Sequence, residues 1–582
     1  MAPMHYGPQA SPACQVPGLT QSPPRGGLED VNTMAERFDV VVVGFGPAGA
    51  SCAGLLGSMG VRTLVIDRAR SVYDKPRAFA LDHEIMRVFQ NLGIVDKVLP
   101  HTAPFTPSEY YGVDGRLIKR LGAVPPPYPL GWPPNVVFTQ PPVEQIMRSA
   151  AAAHDSVQLS LGTELIGLEQ DASGVRLRLR GDDGRVDGRT DGGTDGAGAK
   201  VHELSARYVI GCDGAASTVR GLLDMPLEDL GFDEPWLVVD VQVNESGLAK
   251  LPDVSIQYCE PARPCTYLIG PGNHRRWEIM LLPGEDPRSM ESEAAIWKLL
   301  SRWLKPDEAS LWRVASYRFH ALVARDWRRG RVFIAGDAAH QQPPFTGQGM
   351  CQGVRDVANL SWKLQRVLSG KSGDALLDTY QAERAAHVRR LTTLIKNIGL
   401  LICERDPAAA KKRDARLLEE AGGEIKTVAR QDLIPPLAGA ACLLSPLAHA
   451  ATGTIFPQPR VMRVGAPVLM DELAGSGFRV VLKDRLLAAA LCANVLVVRM
   501  LTRIGARIVL LGTDVKVDVD ADTVVAAVSV LCINESDGVL ARWFSRHACV
   551  AAIVRPDHYV YGVATGAEQL DAQLSLLDAA MK

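Results

Sequence analysis

The stretch from Phe38 to Arg68 constrains the fold of this chain more than any other. It reads FDVVVVGFGPAGASCAGLLGSMGVRTLVIDR: an apolar run, a tight glycine turn, a segment of small residues and a second apolar run that ends at Asp67. This order predicts one βαβ unit, in which the small-residue segment is the helix. The chain is therefore predicted to contain an α/β, Rossmann-like nucleotide-binding domain.

The glycines of GFGPAG have separate roles in such a unit. Gly44 permits the tight turn after the first strand, Gly46 lets backbone N–H groups approach a pyrophosphate, and Gly49 lets the helix pack close to the strand. The pyrophosphate then lies at a helix N-terminus, where free N–H groups and the helix dipole favour negative charge. Asp67, at a strand end, is placed to accept hydrogen bonds from an adenosine ribose. The motif predicts dinucleotide binding without separating FAD from NAD.

Size and composition limit the other classes of protein to which this chain can belong. At 582 residues the chain is too long for one core. Lys and Arg number 63 against 65 Asp and Glu, a formal charge of −2, so no basic surface recommends nucleic acid as a partner. The eleven cysteines include no CxxC pair and no Cys/His cluster, which argues against a metal site and against disulfides and fits a reducing cytoplasm.

Other stretches carry weaker signals. Residues 1–36 are rich in Pro, Gly, Gln and Ser and lack the apolar core of a signal peptide, which predicts a disordered extension, with Met34 as a candidate natural start. The Gly/Asp-rich segment 181–200 is predicted to be a mobile hairpin tip, with a single calcium-binding turn as the alternative. The apolar stretch 486–501 contains Arg499 and is too short to span a bilayer, so we expect no stable membrane insertion.

Two further segments indicate which dinucleotide is bound. YVIGCDGAASTVR (208–220) and RVFIAGDAAHQQPPFTGQGMCQGVRDVANLSWKL (331–364), together with GFGPAG, resemble the three fingerprints of the single-component FAD-dependent aromatic hydroxylases of the p-hydroxybenzoate hydroxylase type. The correspondence covers residues 38–400. Within that group the chain is most similar to the 3-(3-hydroxyphenyl)propionate hydroxylase branch, whose members carry an additional thioredoxin-like C-terminal domain.

The third fingerprint supplies the predicted flavin contacts. Asp337, at the end of a strand, is placed to bind a ribityl hydroxyl. Backbone N–H groups at Gly347 and Gly349 would reach the flavin pyrimidine edge, and the positive end of the following helix would stabilise the anionic reduced flavin. The further predicted FAD contacts are Arg68, Arg77, Gly336, Pro344 and Met350. For Arg77, a solvated surface charge is the alternative.

The middle fingerprint bears on the second cofactor. The resemblance gives Asp213 a role that links the flavin side of the fold to nicotinamide binding, and it places Arg220 in the same segment. A helix-surface salt bridge is the alternative for Arg220. The sequence has no second complete GxGxxG, which agrees with a family that lacks a separate NADPH domain. FAD and NAD(P)H are therefore the expected cofactors.

The resemblance also implies a reaction. NAD(P)H reduces FAD, oxygen adds at flavin C4a, and the hydroperoxide transfers an OH group to a phenol ring. A phenol attacks better as a phenolate, so the site needs a proton acceptor or a relay. The catalytic candidates are His320, in YRFHA, and Tyr258 and Tyr267 on the predicted substrate-side strands, with packing as the alternative for each.

The predicted domains follow from the fingerprints and from strands of period two between 234 and 318. They are a disordered extension (1–36), an FAD-binding domain in two parts (37–222 and 318–403), an inserted antiparallel β-sheet for the substrate (223–317), a helical connector (404–463) and a thioredoxin-like α/β domain (464–582). Because the last domain has no CxxC, we expect it to support the structure or a homodimer rather than thiol exchange.

Three hypotheses for function remain at this point. The first is hydroxylation of a small phenolic substrate, such as a 3-(3-hydroxyphenyl)propionate-like acid in aromatic catabolism. The second is a tailoring hydroxylase or epoxidase of a larger, polyketide-like aromatic substrate, which shares every motif with the first. The third is a flavin-binding scaffold without turnover.

Overall fold

The computed structural model describes residues 37–122, 124–181, 200–512, 523–525 and 528–582. The predicted extension 1–36, the candidate start Met34 and the tip of the Gly/Asp-rich segment, 182–199, lie outside these residues. The two strands that flank that tip, Val175–Gly181 and Lys200–Gly211, pair antiparallel, with Gly181 opposite Lys200.

The βαβ unit forms the centre of a mostly parallel sheet. Strand Arg37–Val43 lies between Thr63–Asp67 and Lys200–Gly211 and is parallel to both. Val40, Val41 and Val42 are fully buried, as expected for a strand with both faces covered. The strands run in the order Arg328–Arg329, Val332–Ile334, Lys200–Gly211, Arg37–Val43, Thr63–Asp67, Val157–Leu161, with Val175–Gly181 and Thr163–Gln170 as an antiparallel branch.

The second sheet is the predicted substrate-side sheet, with one correction to its composition. It contains the expected antiparallel strands, but Ser108–Tyr111 and Leu117–Gly122 join it from before the predicted insertion, and His340–Gln341 and Thr427–Ala429 join it from after. Two of these junctions are parallel, so the sheet is mixed. Local alternation shows a strand but not its distant partner, so this extension was missed. The order is His340–Gln341, Ala309–Ala324, Leu227–Val243, His274–Met280, Cys265–Ile269, Ser255–Tyr258, Ser108–Tyr111, Leu117–Gly122, Thr427–Ala429.

A third sheet forms the C-terminal domain. Strands Arg479–Leu482 and Arg507–Leu511 are parallel, and the antiparallel hairpin Ala551–Val554 and Val560–Ala564 continues the sheet beside the first of them. The order is Thr523–Val525, Val528–Ile533, Arg507–Leu511, Arg479–Leu482, Ala551–Val554, Val560–Ala564. A βαβ unit followed by a hairpin and a helix supports the thioredoxin-like assignment, which stays a prediction.

Helices cover the sheets, and the short strands form a three-stranded sheet and a separate strand pair. The helices are Pro47–Ser58, His83–Asn91, Val95–Val98, Gln140–Ala152, Thr218–Leu222, Glu245–Leu248, Pro287–Met290, Glu293–Leu300, Gly349–Leu368, Asp378–Ile402, Pro407–Glu420, Met470–Ala474, Arg485–Ala493, Val495–Ile504, Val539–Arg546 and Ala567–Ala580. The small strands are Ala80–Asp82, Thr102–Pro104, Asn135–Phe138, Arg460–Arg463 and Ala466–Leu469. Within the described ranges, no single helix is long and apolar enough to cross a membrane; Arg485–Ala493 and Val495–Ile504 reach that length and composition only when taken together across a 92° bend.

The C-terminal domain is joined to the FAD-binding domain by buried charges. The carboxylate of Glu383, on helix Asp378–Ile402, accepts hydrogen bonds from Lys363 Nζ at 2.8 Å and from Arg555 Nη1 and Nη2 at 2.8 and 2.7 Å. All three side chains are fully buried. Burial alone would raise the pKa of Glu383, but Arg555 and Lys363 hold it well below its ordinary value. Glu383 therefore links the long helix Gly349–Leu368, which carries Lys363, both to helix Asp378–Ile402 and to the C-terminal domain.

We predict that Glu383→Gln destabilises the protein by about 3–5 kcal/mol, because removing one partner leaves a buried charge uncompensated. Equilibrium urea unfolding measures the change. The matched control is Glu420→Gln, which breaks the exposed pair in which Arg416 Nη1 lies 3.1 Å from Glu420 Oε1 and should cost no more than about 0.5 kcal/mol. Equal effects of the two substitutions would contradict the role assigned to Glu383.

Candidate active site

A cavity of about 470 Å³ lies where the sequence fingerprints meet the substrate-side sheet. Gly46, Asp337 and Gly349 line it from the nucleotide-binding side, and Val238 and Thr266 line it from the sheet. The structure thus brings all three fingerprints together with the sheet around one space.

The glycine turn is tight on one side and open on the other. Gly44 has φ +97°, and a Cβ built on it would lie 2.5 Å from the Cys212 carbonyl oxygen. A Cβ on Gly49 would lie 1.9 Å from the Gly44 carbonyl oxygen, so helix and strand touch there. Around the Cβ position of Gly46 no described atom lies within 4 Å. Gly46 also precedes helix Pro47–Ser58, whose first N–H groups have no side-chain cap.

The carboxylate of Asp67 supports this turn. Its Oδ2 accepts a hydrogen bond of 2.7 Å from the Phe45 N–H, and its Oδ1 accepts one of 2.7 Å from the Ala69 N–H. Neither Asp67 nor the neighbouring exposed Arg68 lines the cavity. Their contact with the adenosine end of a dinucleotide stays a prediction.

The third fingerprint lies directly on the cavity. Gly336 turns the chain with φ +62° and presents Asp337, whose side chain is exposed to the cavity while burial within the protein raises its pKa. Gly347, also with φ +62°, ends the turn Pro344–Thr346. Helix Gly349–Leu368 then begins without a side-chain cap, and its first residues Gly349 and Met350 line the cavity. A helix N-terminus therefore opens on this space, as predicted.

The middle fingerprint reaches the cavity through Cys212, Gly214 and Ala215, whereas the Asp213 side chain is turned to its own segment. Asp213 accepts hydrogen bonds from Ser217 Oγ at 2.6 Å and from the Val219 N–H at 3.0 Å, and it does not line the cavity. Arg220 donates from Nη1 to the Ala338 carbonyl at 2.8 Å and from Nη2 to the Ala215 carbonyl at 2.7 Å. Arg220 thus ties the second fingerprint to the third, and the alternative of a helix-surface salt bridge is wrong.

Arg77 lies on the cavity wall and is also paired. Its Nη2 lies 3.6 Å from Glu144 Oε2, and its side chain is 48% exposed. Arg77 is thus partly exposed to solvent, as expected for a surface charge, and it also lines the cavity, as a cofactor contact requires. Its contact with the cofactor stays a prediction.

The three catalytic candidates are separated by the structure. His320 lines the cavity, with Nδ1 at 3.2 Å from Asp233 Oδ1. Tyr258 and Tyr267 do not line it: the Tyr258 hydroxyl accepts a hydrogen bond from Trp303 Nε1, and the Tyr267 hydroxyl donates to the Pro252 carbonyl. Both tyrosines lie in an apolar cluster under the sheet, which is the packing alternative.

Glu278 and Arg430 are two of the charged cavity-wall residues that were missed, which also include Arg276, Arg313 and Arg318. Glu278, in strand His274–Met280, is 4% exposed, and burial raises its pKa to about 7. Arg430, from the connector, is 6% exposed, and burial lowers its pKa. A lone Glu in the apolar run WEIM was a usable signal for the first, whereas no local pattern marks the second.

Comparison with known proteins decides the family. The family model described as FAD binding domain matches residues 37–394, and the HcaD C-terminal domain model matches residues 453–580. A protein from Rhodococcus jostii (strain RHA1), named probable NADH-specific resorcinol 4-hydroxylase, is 35% identical over 541 residues, which cover 92% of this chain and 93% of that protein. The chain belongs to the FAD-dependent aromatic hydroxylases.

Further relatives agree with this assignment. The 3-(3-hydroxy-phenyl)propionate/3-hydroxycinnamic acid hydroxylase of Mycobacterium sp. (strain KMS) is 34% identical over 545 residues, covering 90% of this chain and 88% of that protein. The solved structure of the flavin-dependent monooxygenase PieE with FAD and substrate covers 94% of this chain and 99% of its own, with a TM-score of 0.72 and 20% identity, which shows a shared fold. The predicted family, its α/β fold, and the cofactors FAD and NAD(P)H are confirmed.

The residues of this hydroxylase fit FAD on structural grounds. The space at Gly46 is free where a pyrophosphate would approach, and two uncapped helix N-termini supply N–H groups for negative charge. The Asp337 carboxylate is exposed to the cavity where a hydroxyl donor would satisfy it. Gly46, Asp337 and Gly349 are therefore the residues that would hold the cofactor.

We predict that Gly46→Ala weakens FAD binding by at least about tenfold, or about 1.4 kcal/mol, and changes the melting temperature of the FAD-free protein little. The added methyl meets no protein atom but enters the space expected for the pyrophosphate. Fluorescence titration with FAD and thermal unfolding of the apoprotein measure the two effects.

Gly221→Ala is the matched control, because Gly221 is exposed, has no neighbour near its Cβ position and lies outside the cavity lining. If Gly46→Ala binds FAD as tightly as Gly221→Ala, the predicted pyrophosphate position is wrong.

Proposed function

We propose that this hydroxylase acts on a single-ring phenol that carries a carboxylate, of the 3-(3-hydroxyphenyl)propionate type, with consumption of NAD(P)H and O2. Bound FAD supplies the redox chemistry, and the chain binds and orients the phenol and excludes water. The observation that carries the proposal is a buried arginine in the cavity wall with no acidic partner.

That arginine is Arg430. Its Nη2 donates to the Thr346 carbonyl, its guanidinium carbon lies 4.5 Å from the ring centroid of Phe105, and its Nε has no hydrogen-bond partner among the described residues. No described carboxylate lies within 4.0 Å of it. A buried, unpaired guanidinium is costly, and its planar fork matches a carboxylate. A substrate carboxylate would supply the missing charge.

The size of the cavity supports a small substrate. The predicted FAD contacts and the sheet residues line the same space, so about 470 Å³ is shared between the flavin ring and the substrate. Ligand pockets for a single drug-sized molecule span about 300–1,000 Å³. A single aromatic ring fits this space better than a polyketide-like ring system does.

We also propose a cytoplasmic location and a homodimer. The cysteines of the described ranges are free thiols, which supports a reducing compartment. Leu486, Val495 and Leu496 are exposed apolar side chains of the C-terminal domain, which supports a contact between copies through that domain.

The proposal predicts a preference for the acid over its neutral analogue. The purified yellow protein is assayed for NADH and NADPH oxidation, O2 uptake and products with 3-(3-hydroxyphenyl)propionate, its primary amide, resorcinol and a polycyclic phenol. We expect a hydroxylated product and a kcat/KM roughly 10–100-fold higher for the acid than for the amide, since a charged hydrogen-bonded contact contributes about 1.5–3 kcal/mol. A preference for the amide, for resorcinol or for the polycyclic phenol would contradict the proposed substrate, and bound FAD without stimulated turnover would favour the scaffold hypothesis.

The role of Arg430 is tested separately. We expect Arg430→Met to raise KM for the acid by about 10–100-fold and to leave KM for the amide nearly unchanged, and Arg430→Lys to recover part of the loss. Arg416→Met, in the exposed pair with Glu420, is the control within the same connector. An equal loss for acid and amide would show that Arg430 only supports the loop at Thr346.

A further inference from the structure

Glu278 is a buried carboxylate that faces the cavity from the middle of the substrate-side sheet. Its register partners are Val238 on one neighbouring strand and Thr266 on the other. All three residues line the cavity, so this face of the sheet forms a patch of its floor.

The arginines around Glu278 interact mainly with other acceptors. Arg276, on the same strand, donates to Asp240 from Nε at 2.7 Å and from Nη2 at 3.1 Å, and Arg313, from strand Ala309–Ala324, places Nη1 at 3.6 Å from Asp240 Oδ2. Arg276 also donates to the carbonyls of Pro76 and Arg77. Both arginines therefore make their closest carboxylate contacts with Asp240 rather than with Glu278.

Glu278 is left without a close donor. The nearest cationic atom is Arg276 Nη1, at 4.0 Å from Glu278 Oε1, and no described group donates a hydrogen bond to the Glu278 carboxylate. A buried carboxylate without donors binds a proton readily, and its one open side is the cavity. A hydroxyl donor in the cavity would be its first hydrogen-bond partner.

We propose that Glu278 is a catalytic residue that accepts the phenolic proton of the substrate when the ring is hydroxylated. The proposal rests on the proposed function, because it requires a phenol in the cavity. The phenol O–H bond breaks, its electron pair stays on the phenolate oxygen, and the proton forms a new bond to a Glu278 carboxylate oxygen. Nothing is oxidised or reduced in this step, and the proton later leaves to solvent.

His320, the sequence candidate for this role, is less suited. It lies on the cavity wall, but its side chain is 33% exposed and its Nδ1 faces Asp233, which also binds Arg318. Glu278 is enclosed and has no such partner, so water competes less for its proton.

The hydroxylation rate should depend on pH through the protonation of Glu278. Burial raises the pKa of Glu278 to about 7, with Asp240 also raising it and Arg276 and Arg313 opposing. Below that pKa the group is already protonated and cannot accept a proton. Hydroxylation should therefore fall as the pH falls through about 7 and level off above it.

The test is the hydroxylation rate of Glu278→Gln and Glu278→Asp with a series of ring-fluorinated phenolic acids of decreasing phenol pKa. For the parent phenol we expect Glu278→Gln to lower the hydroxylation rate by about 10²–10⁴-fold. The rate of this variant should also no longer fall as the pH falls through about 7, a fall that we call the acid limb of the pH profile. The loss should shrink toward wild type as the phenol pKa falls below the assay pH, because an ionised phenol needs no proton acceptor. Glu278→Asp should keep the limb and part of the rate.

Other outcomes overturn the inference in distinct ways. If Glu278→Gln lowers the hydroxylation rate equally for all phenols, Glu278 has a structural role. If this variant keeps the wild-type rate and the wild-type pH profile, Glu278 takes no part in the reaction. If His320→Gln instead shows the dependence on phenol pKa, the proton acceptor is His320. Wild-type protein that hydroxylates none of the phenols contradicts the proposed function itself. The FAD absorbance spectrum and melting temperature of each variant confirm folding.

Discussion

One buried carboxylate, that of Glu383, helps to position the elements that line the cavity of this hydroxylase. Glu383 joins two helices of the FAD-binding domain to Arg555 of the C-terminal domain, and Asp557 balances the second cation. The four charges sum to zero, which makes their complete burial tolerable. The helix that carries Lys363 is also the helix whose first residues line the cavity. The position of the helix N-terminus that opens on the cavity is therefore set partly by a domain that does not line the cavity.

The charged residues of the cavity wall differ in how closely they meet a partner of opposite sign. Asp240 accepts two hydrogen bonds from Arg276 and lies 3.6 Å from Arg313, so both arginines have an acidic partner within the protein. Glu278 and Arg430, in contrast, are buried with one charge each and no partner of opposite sign in close contact. Burying such residues costs stability, and a ligand group of opposite charge or a hydrogen-bond donor would offset that cost. The carboxylate of Glu278 and the guanidinium of Arg430 would match the phenol hydroxyl and the carboxylate of the proposed substrate.

Much of the nucleotide-binding fold could be predicted from sequence because its information is local. The positions of Gly44 and Gly49 encode contacts between neighbouring elements, and the structure shows both close approaches. The substrate side is different, since period two predicts a strand but not which face lines the cavity. Thr266 lines the cavity and Tyr267, the next residue, does not, so the sequence located the strand but not the face that lines the cavity. Arg430 could not be predicted, because only tertiary packing brings the connector to the cavity.

One chain of contacts crosses from the C-terminal domain to the start of the long helix. The Tyr559 hydroxyl donates to Glu84, Glu84 accepts from Arg355, and Arg355 donates to Gln348, the residue before Gly349. Exchanging the C-terminal domain of this chain for one without a hydroxyl at the position of Tyr559 would therefore leave Glu84 with one donor fewer, one contact away from the residues that open on the cavity.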